Sequence, residues 1–462
     1  MKLNSLDIEN FRCFKSINIK FDSQITVIVA ENGIGKTAIL DAVAVALGPF
    51  LGGFDAGTSK GFKKEDARLA IRKGLHIPLE DASQRMEAQY PVSLIASGII
   101  DGQDEQWSRE LTGGKTQTTY GKAKVLSEHA KKLQKLVREG EQVALPVIAY
   151  YGTGRLWKQA KVGKKPIDSQ SRIYGYKDAL TSDSTYKAFT KWFTEQSLAE
   201  NQVVMRNIFE DLENAKLAIK SKDTYNQNST LPYSTELQHV RAAIDQCLAI
   251  SGWSTLEYDF KWGELVVRDN ELKTFIPIAR LSDGVKAMLS LTADIAYRCV
   301  QLNPYLTSPA KDTNGVILID EIDLHLHPRW QQTVLIDLQK TFPKIQFIVT
   351  THSPQVLTTV AAKNIRILSK NGQVSIPSIN TYGEESKVTL EDVQHVNSRP
   401  TLSVKQSELL KNYLLRINHG EIDSSEVIAM RTQLENDFGE NYSKLKLADM
   451  VINKYKAKQF AQ

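Results

Sequence analysis

Ala30-Glu31-Asn32-Gly33-Ile34-Gly35-Lys36-Thr37 is the stretch whose reading decides the fold. An apolar run precedes it (Ile25, Val27, Ile28, Val29) and a helical pattern follows it (Ile39, Leu40, Ala42, Val43, Val45, Ala46, Leu47). Strand, glycine turn and helix in that order make a phosphate-binding loop. Such a turn aims backbone N–H groups at phosphate oxygens, and the helix behind it adds the positive end of its dipole. On this reading Asn32, Gly33, Ile34 and Gly35 line the phosphates. Lys36 reaches the outer phosphates of a nucleoside triphosphate, and the Thr37 hydroxyl sits on Mg²⁺. Ala30 departs from the rule, standing where the first glycine of the loop is expected.

Composition frames what such a loop can belong to. A chain of 462 residues has room for about two to four domains. With 42% hydrophobic residues it can build a large core. The net charge of +5 is too mild to imply nucleic acid by itself. Cys13, Cys247 and Cys299 are widely spaced and form neither a disulfide framework nor a metal pattern, as in a reducing cytosol. No apolar run approaches about 18 residues, so no membrane span is expected. The N-terminus runs straight into a strand and does not read as a signal peptide; a cytoplasmic protein is expected.

Outward from the octet, residues 3–8 and 17–29 read as strands, with alternation at Ile17, Ile19 and Phe21. Arg12 lies between them, either a nucleotide contact or a surface arginine beside Phe11. Residues 48–75 are Gly- and Lys-rich and show no clear period. Strands are expected near 87–100 and 106–111, a basic helix over 123–138, and a buried strand from Val143 to Tyr151. From Arg155 to Lys177 there are seven Lys or Arg and one acid, with Trp157, Tyr174 and Tyr176 interleaved. That pattern suits a solvated loop at a domain rim or a single-stranded nucleic-acid surface. Helices are expected over 185–219 and 234–250 around a polar break at 222–231, with the aromatic stripe of the first as core. Three short strands come next, Leu256–Phe260, Leu265–Arg268 and Lys273–Ile278.

The remaining chemistry lies further on. In Leu281-Ser282-Asp283-Gly284-Val285-Lys286, Ser282 caps a long helix running to Val300, and the amides at that helix start can hold an anion. Val316-Ile317-Leu318-Ile319-Asp320-Glu321 is an apolar strand ending in two acids. Asp320 is placed to support Mg²⁺ and Glu321 to polarise an attacking water. Asp323, His325 and His327 come after them; a His-x-His pair can bind metal, but no third ligand is near in sequence. The strand Ile345–Thr350 ends in Thr351-His352-Ser353, and a histidine at a strand's carboxyl end lies where open α/β sheets bind ligands.

Lys36 precedes Ser282 by 246 residues, Ser282 precedes Asp320 by 38, and Glu321 precedes His352 by 31. In this order the chain resembles ABC-type ATPases of the SMC, RecF and OLD branch, in which an insertion splits one ATPase head. Leu6-Asp7-Ile8-Glu9-Asn10-Phe11-Arg12-Cys13-Phe14 and Asp320-Glu321-Ile322-Asp323-Leu324-His325-Leu326-His327-Pro328 carry the same likeness. The resemblance implies ATP and Mg²⁺ as ligands. It makes Asp320 the metal-supporting acid, Glu321 the catalytic carboxylate, His352 the switch histidine and Asp323 the D-loop. Ser282 and Gly284 contact the γ-phosphate held by a second subunit, so the protein works as a head-to-head dimer or higher homo-oligomer. Asp283 occupies the variable position of that signature, and no glutamine for a Q-loop occurs between Tyr150 and Arg155.

The expected architecture is therefore an α/β ABC-type P-loop head split by a helical insertion, with a C-terminal helical extension. Its parts are 1–184 and 251–379 for the head, 185–250 for the insertion lobe and 380–462 for the extension. The head ends in a hairpin, Asn364–Leu368 and Val374–Ile376. Beyond it helices are expected over 404–417, 425–438 and 442–458, with Asp423 and Glu426 as a helix start and Gly439 as a stop. His395, Asn397 and His419 lack the ββα pattern of an HNH nuclease, so the extension is read as a docking module. The short head, helical tail and Asn397-Ser398-Arg399-Pro400 resemble the ATPases of Septu-type antiphage systems, found also in retron cassettes. That resemblance implies a separate HNH endonuclease partner acting on DNA. A RecF-like repair ATPase without a nuclease partner is the alternative; a membrane-importer subunit fits least, since the insertion is too long.

Overall fold

A computed structural model describes residues 1–71, 86–114, 118–119, 121–154, 171–181, 186–221, 235–398 and 404–460. The chain forms two compact units, Met1–Thr389 and Leu390–Gln462.

The first unit opens with β1 (Lys2–Phe11), β2 (Phe14–Lys20) and β3 (Ile25–Val29), followed by α1 (Lys36–Leu51). The expected strand over 17–29 is two strands in two different sheets. Its period changes at Asp22-Ser23-Gln24, from alternating burial in β2 to burial of every residue in β3. The break is a turn in which Gln24 N donates to Asp22 Oδ1 at 3.0 Å and Asp22 N donates to Thr26 Oγ1 at 2.8 Å. The middle of the head adds β4 (Leu69–Ile71), β5 (Met86–Ala88), β6 (Val92–Ile100), β7 (Gln103–Leu111), α2 (Lys124–Arg138) and β8 (Val147–Tyr151). β8 starts four residues later than expected from Val143.

Next come α3 (Lys187–Ser221), α4 (Thr235–Leu248), β9 (Trp253–Asp259), β10 (Glu264–Asp269) and β11 (Thr274–Pro277). Then come α5 (Asp283–Leu302), α6 (Pro309–Asp312), β12 (Gly315–Ile319), α7 (Pro328–Gln331), α8 (Val334–Thr341), β13 (Ile345–Thr350) and α9 (Pro354–Leu357). β14 (Ile365–Leu368), β15 (Val374–Ser375) and α10 (Ser386–Val388) complete the unit.

Among the described residues two large sheets carry this unit. An antiparallel sheet runs β2-β1-β6-β7, and a mostly parallel one runs β15-β14-β3-β13-β12-β8. β3, β8, β12 and β13 are buried along their whole length, which is why they read as unbroken apolar runs. In the parallel sheet Val27 pairs with Val349, Val349 with Ile319, and Ile319 with Tyr151. This register sets the carboxyl ends of β3, β13 and β12 side by side, and the loops leaving them meet. α1 is buried on nearly every side. From β7, Trp107 Nε1 donates to Ala46 O at 3.0 Å and Arg109 Nη1 to Val45 O at 2.8 Å.

The aromatic stripe of α3 is core only at its start. Phe189, Trp192 and Phe193 are buried, with Trp192 5.1 Å from the Tyr297 ring. Leu198, Met205, Ile208, Phe209 and Leu212 are exposed. The reason is length: 35 residues of helix span about 52 Å and outrun the neighbouring α4, of about 21 Å. Of the basic, aromatic stretch, residues 155–170 lie outside the described residues, as does the polar break at 222–231. In the described part, Tyr176 is buried and Arg172 donates to Leu302 O at 2.8 Å and Val143 O at 2.6 Å, so both anchor the fold.

Residues 380–389, counted with the extension in the sequence, bond to the head: Gly383 N donates to Thr358 O at 2.8 Å and Thr389 Oγ1 to Pro354 O at 3.3 Å. The second unit consists of α11 (Lys405–Asn418), α12 (Ser425–Phe438) and α13 (Ser443–Phe460) around Leu410, Tyr413, Ile417, Val427, Leu434 and Leu445. Arg431 grips Asp449 through two nitrogens at 2.7 and 3.0 Å. Ser424, not Asp423, caps α12, its hydroxyl accepting from Val427 N. Gly439 ends the helix with φ of 84°.

Candidate functional site

The octet forms a turn between β3 and α1. Gly33 and Gly35 sit at φ of 81° and 114°, where glycine alone is unstrained. A Cβ on Gly35 would stand 2.5 Å from Cys13 Sγ and 2.6 Å from the Phe14 ring, because the β1–β2 turn packs against the loop. Gly35 is the N-cap of α1 and offers no side chain, so the first amides of this helix have no side-chain cap. Asn32 and Gly33 are exposed, Ile34 half-buried.

Lys36 is buried, and its Nζ donates to Ala30 O at 3.2 Å and to His352 Nε2, and stands 3.7 Å from Glu321 Oε1. Burial lowers the Lys36 pKa, and the carboxylates of Glu321, Asp320 and Asp323 oppose that. His352 Nε2 lies 3.5 Å from the same Glu321 oxygen. Burial first, and then the Lys36 charge, lower the His352 pKa. At neutral pH the ring is therefore uncharged and accepts from the ammonium, so its approach to Glu321 is not an ion pair.

Asp320 is 2% exposed and its two oxygens are divided between two hydroxyls. Thr37 Oγ1 donates to Oδ2 at 2.8 Å and Thr350 Oγ1 to Oδ1 at 2.6 Å. The Thr350 hydroxyl also accepts from Glu321 N at 2.7 Å. Glu321 has φ of 49°, an uncommon conformation for a side chain of its kind. The loop after it is built of turns, with Leu324 N on Glu321 O at 2.9 Å and Leu326 N on Asp323 O at 3.0 Å. Asp323 Oδ1 accepts from Thr351 Oγ1.

Other candidates stand apart from this cluster. Arg12 is held by two carboxylates, Nη1 to Asp41 Oδ2 at 2.6 Å and Nε to Asp66 Oδ1 at 2.8 Å. Burial would lower its pKa, but Asp41 and Asp66 outweigh that and raise it. Among the described residues Arg12 makes no bond to Lys36, Asp320, Glu321 or His352. Ser282 occupies the N-cap of α5 as expected, yet its hydroxyl makes no cap bond and the residue is exposed. Gly284 lies so close to His325 that a Cβ there would be 2.6 Å from the His325 carbonyl oxygen. The ring of His327 is used as a cap, its Nδ1 accepting from Arg329 N at 3.3 Å.

Sequence reasoning missed Thr350 and Thr351, the two hydroxyls that orient the acids, and Asp41 and Asp66, which hold Arg12. The Thr-Thr pair before His352 was the available signal; nothing local marks the two acids.

The AAA domain family matches residues 5–249, more than half of the chain, and a second AAA-domain match covers 162–358. The chain is 28% identical to the retron Ec83 probable ATPase of Escherichia coli, across 98% of this chain and 87% of that protein. It is 33% identical to the Septu protein PtuA of Bacillus mycoides, over 30% of this chain and 19% of that one. The SMC head domain from Thermotoga maritima is 14% identical, covering 82% of this chain and all of that chain at a TM-score of 0.40. With Lys36 in a glycine turn, paired acids at the end of β12 and a histidine after β13, the chain belongs to the AAA domain family and is similar to the retron ATPase and Septu PtuA proteins.

Proposed function

We propose that this chain is the ATP-hydrolysing subunit of a cytoplasmic antiphage defence complex and regulates a separate HNH endonuclease that acts on DNA. The observation that carries the ATPase half is the convergence of Lys36, Thr37, Asp320, Glu321 and His352 at three adjoining strand ends. The names of the retron and Septu relatives support the defence half.

The residues fit the ligands such a reaction needs. Open amides at Gly33 and Gly35 suit phosphate oxygens. The Thr37 hydroxyl and Asp320 carboxylate are hard oxygen donors 2.8 Å apart and would hold Mg²⁺, whose charge offsets that of the phosphates. Lys36 binds the outer phosphates. Glu321 orients and polarises the attacking water, and His352 contacts the γ-phosphate or that water. Ser282 and Gly284 serve the nucleotide of a second copy, with Asp323 between the two sites. In that scheme 1–184 and 251–389 act as the head, 185–250 as its lobe and 390–462 as the nuclease dock. Arg12 supports the loop through its hold on Asp41 and Asp66.

Steady-state hydrolysis and direct ATP titration test this together. Glu321→Gln should lose about 10²–10⁴-fold in turnover while keeping ATP bound and copies associated. Lys36→Ala should lose ATP binding. Native-rate hydrolysis by Glu321→Gln would remove it as the catalytic carboxylate. Failure of the co-expressed HNH protein to copurify would sink the partner assignment.

A further inference from the structure

His352 is flanked by two residues whose side chains both reach back to the loop after β12. Thr351 bonds Asp323; Ser353 bonds Gln331, its hydroxyl donating to Gln331 Oε1 at 2.7 Å. Gln331, the last residue of α7, turns its other end inward: Nε2 donates to Leu326 O at 2.8 Å. One amide thus ties the switch-histidine loop to the backbone of the 325–326 segment. The Ser353 hydroxyl also accepts from Val356 N at 3.2 Å, and Gln355 Oε1, more distant at 3.1 Å, shares the proton given to Gln331.

That backbone segment is also the platform of the Ser282 loop. Gly284 lies directly on the His325 carbonyl and 3.6 Å, measured from a built Cβ, from the Trp330 ring. His325 itself takes φ of 64° to present that carbonyl. The same short stretch, 325–331, therefore carries the signature loop on one side and the histidine loop on the other. A displacement of Gly284 toward this stretch meets the His325 carbonyl, and Gln331, bonded to the next carbonyl at Leu326, passes it to Ser353.

We propose that Gln331 is a positioning residue that couples the two nucleotide sites of a closed homodimer. It links the loop that contacts the partner's nucleotide to the histidine that contacts its own. This rests on the ATPase reading above. Without the strap each site closes independently, and His352 is no longer set by the state of Ser282 and Gly284.

The test is ATPase rate against ATP concentration, with direct ATP titration, on the full-length native protein, Gln331→Met and Gln331→Glu. Gln331→Met keeps the size and removes both bonds; Gln331→Glu keeps the acceptor for Ser353 and removes the donor to Leu326. Both variants should bind ATP within about threefold of native, since Lys36 and the glycine turn are untouched, while turnover falls about tenfold or more. Their Hill coefficient should fall from above one to one. Should the first variant not fold, the second reports the same quantity. Native turnover and Hill coefficient in a folded variant overturn the coupling, as does a native Hill coefficient of one. A native protein that binds no ATP overturns the ATPase reading and this inference with it.

Discussion

Thr350→Val is the perturbation with the most definite expectation. Valine fills the same space and removes one hydroxyl, which donates to Asp320 Oδ1 at 2.6 Å and accepts from Glu321 N at 2.7 Å. Thr350 is fully buried and Asp320 2% exposed, so water does not replace the lost partners. Asp320 and Glu321 each lose one hydrogen-bond partner, at a cost of about 1–3 kcal/mol each. The effect on catalysis has a separate origin. Glu321 sits at φ of 49°, a conformation that costs a residue of its type about 1–2 kcal/mol. A hydrogen bond of roughly equal worth, about 0.5–1.5 kcal/mol, holds it there. Without that bond the balance tips, and the carboxylate leaves its place beside Lys36 and His352. A misplacement of about 1 Å costs on the order of 100-fold in rate, or about 2.7 kcal/mol. Turnover should fall by that factor while ATP affinity stays within about threefold, because the phosphate contacts are elsewhere. Thr350→Ser, which restores the hydroxyl, should recover most of the rate. Single-turnover hydrolysis with parallel ATP titration reads both quantities. A folded Thr350→Val protein with native turnover would refute the reasoning and leave the hydroxyl a purely stabilising role.

The geometry sets three further outcomes. Burial and the Lys36 charge depress the His352 pKa, so its protonation falls below the ordinary histidine value of about 6.5. Its share of stability is full above about pH 6.5 and is lost as pH falls; kcat/KM should stay flat down through pH 6.5, and an acid limb above that pH that His352→Gln abolishes would contradict the assignment. Arg298→Met strips the buried Asp294 of its partner at 2.8 Å, where the pair is 4% and 1% exposed, and should cost about 3–5 kcal/mol in denaturant unfolding; a loss under about 1 kcal/mol would show Asp294 compensated by Tyr151 alone. Gly35→Ala places a methyl 2.5 Å from Cys13 Sγ at φ of 114°, and should weaken ATP binding more than about tenfold, measured by titration; unchanged affinity would mean the loop tolerates reshaping.

Local pattern made much of this protein readable. The octet, the acids closing β12 and the histidine after β13 each stand where a buried apolar run ends, and that signal needs only neighbours in sequence. The helices of the second unit were equally legible, because amphipathic spacing is local too. Misreadings arose where distant packing overrode a local pattern. Residues 17–29 look continuous, but a three-residue turn sends their halves to different sheets. The stripe on α3 looks like core along its length, but only Phe189, Trp192 and Phe193 are buried, while Leu198, Met205, Ile208, Phe209 and Leu212 are exposed.

Residue identity and order alone determined the α/β class, the glycine turn between β3 and α1, and that two acids close β12 and a histidine follows β13. Tertiary structure alone decided that β3, β13 and β12 lie side by side, which is what brings Lys36 within 3.7 Å of Glu321 across 285 positions of chain. It also decided that Thr350 divides the oxygens of Asp320, that Asp41 and Asp66 occupy Arg12, and that Gln331 bridges to Ser353. Such contacts depend on strand order and register, which are settled by burial of whole faces and leave no mark at the positions they join.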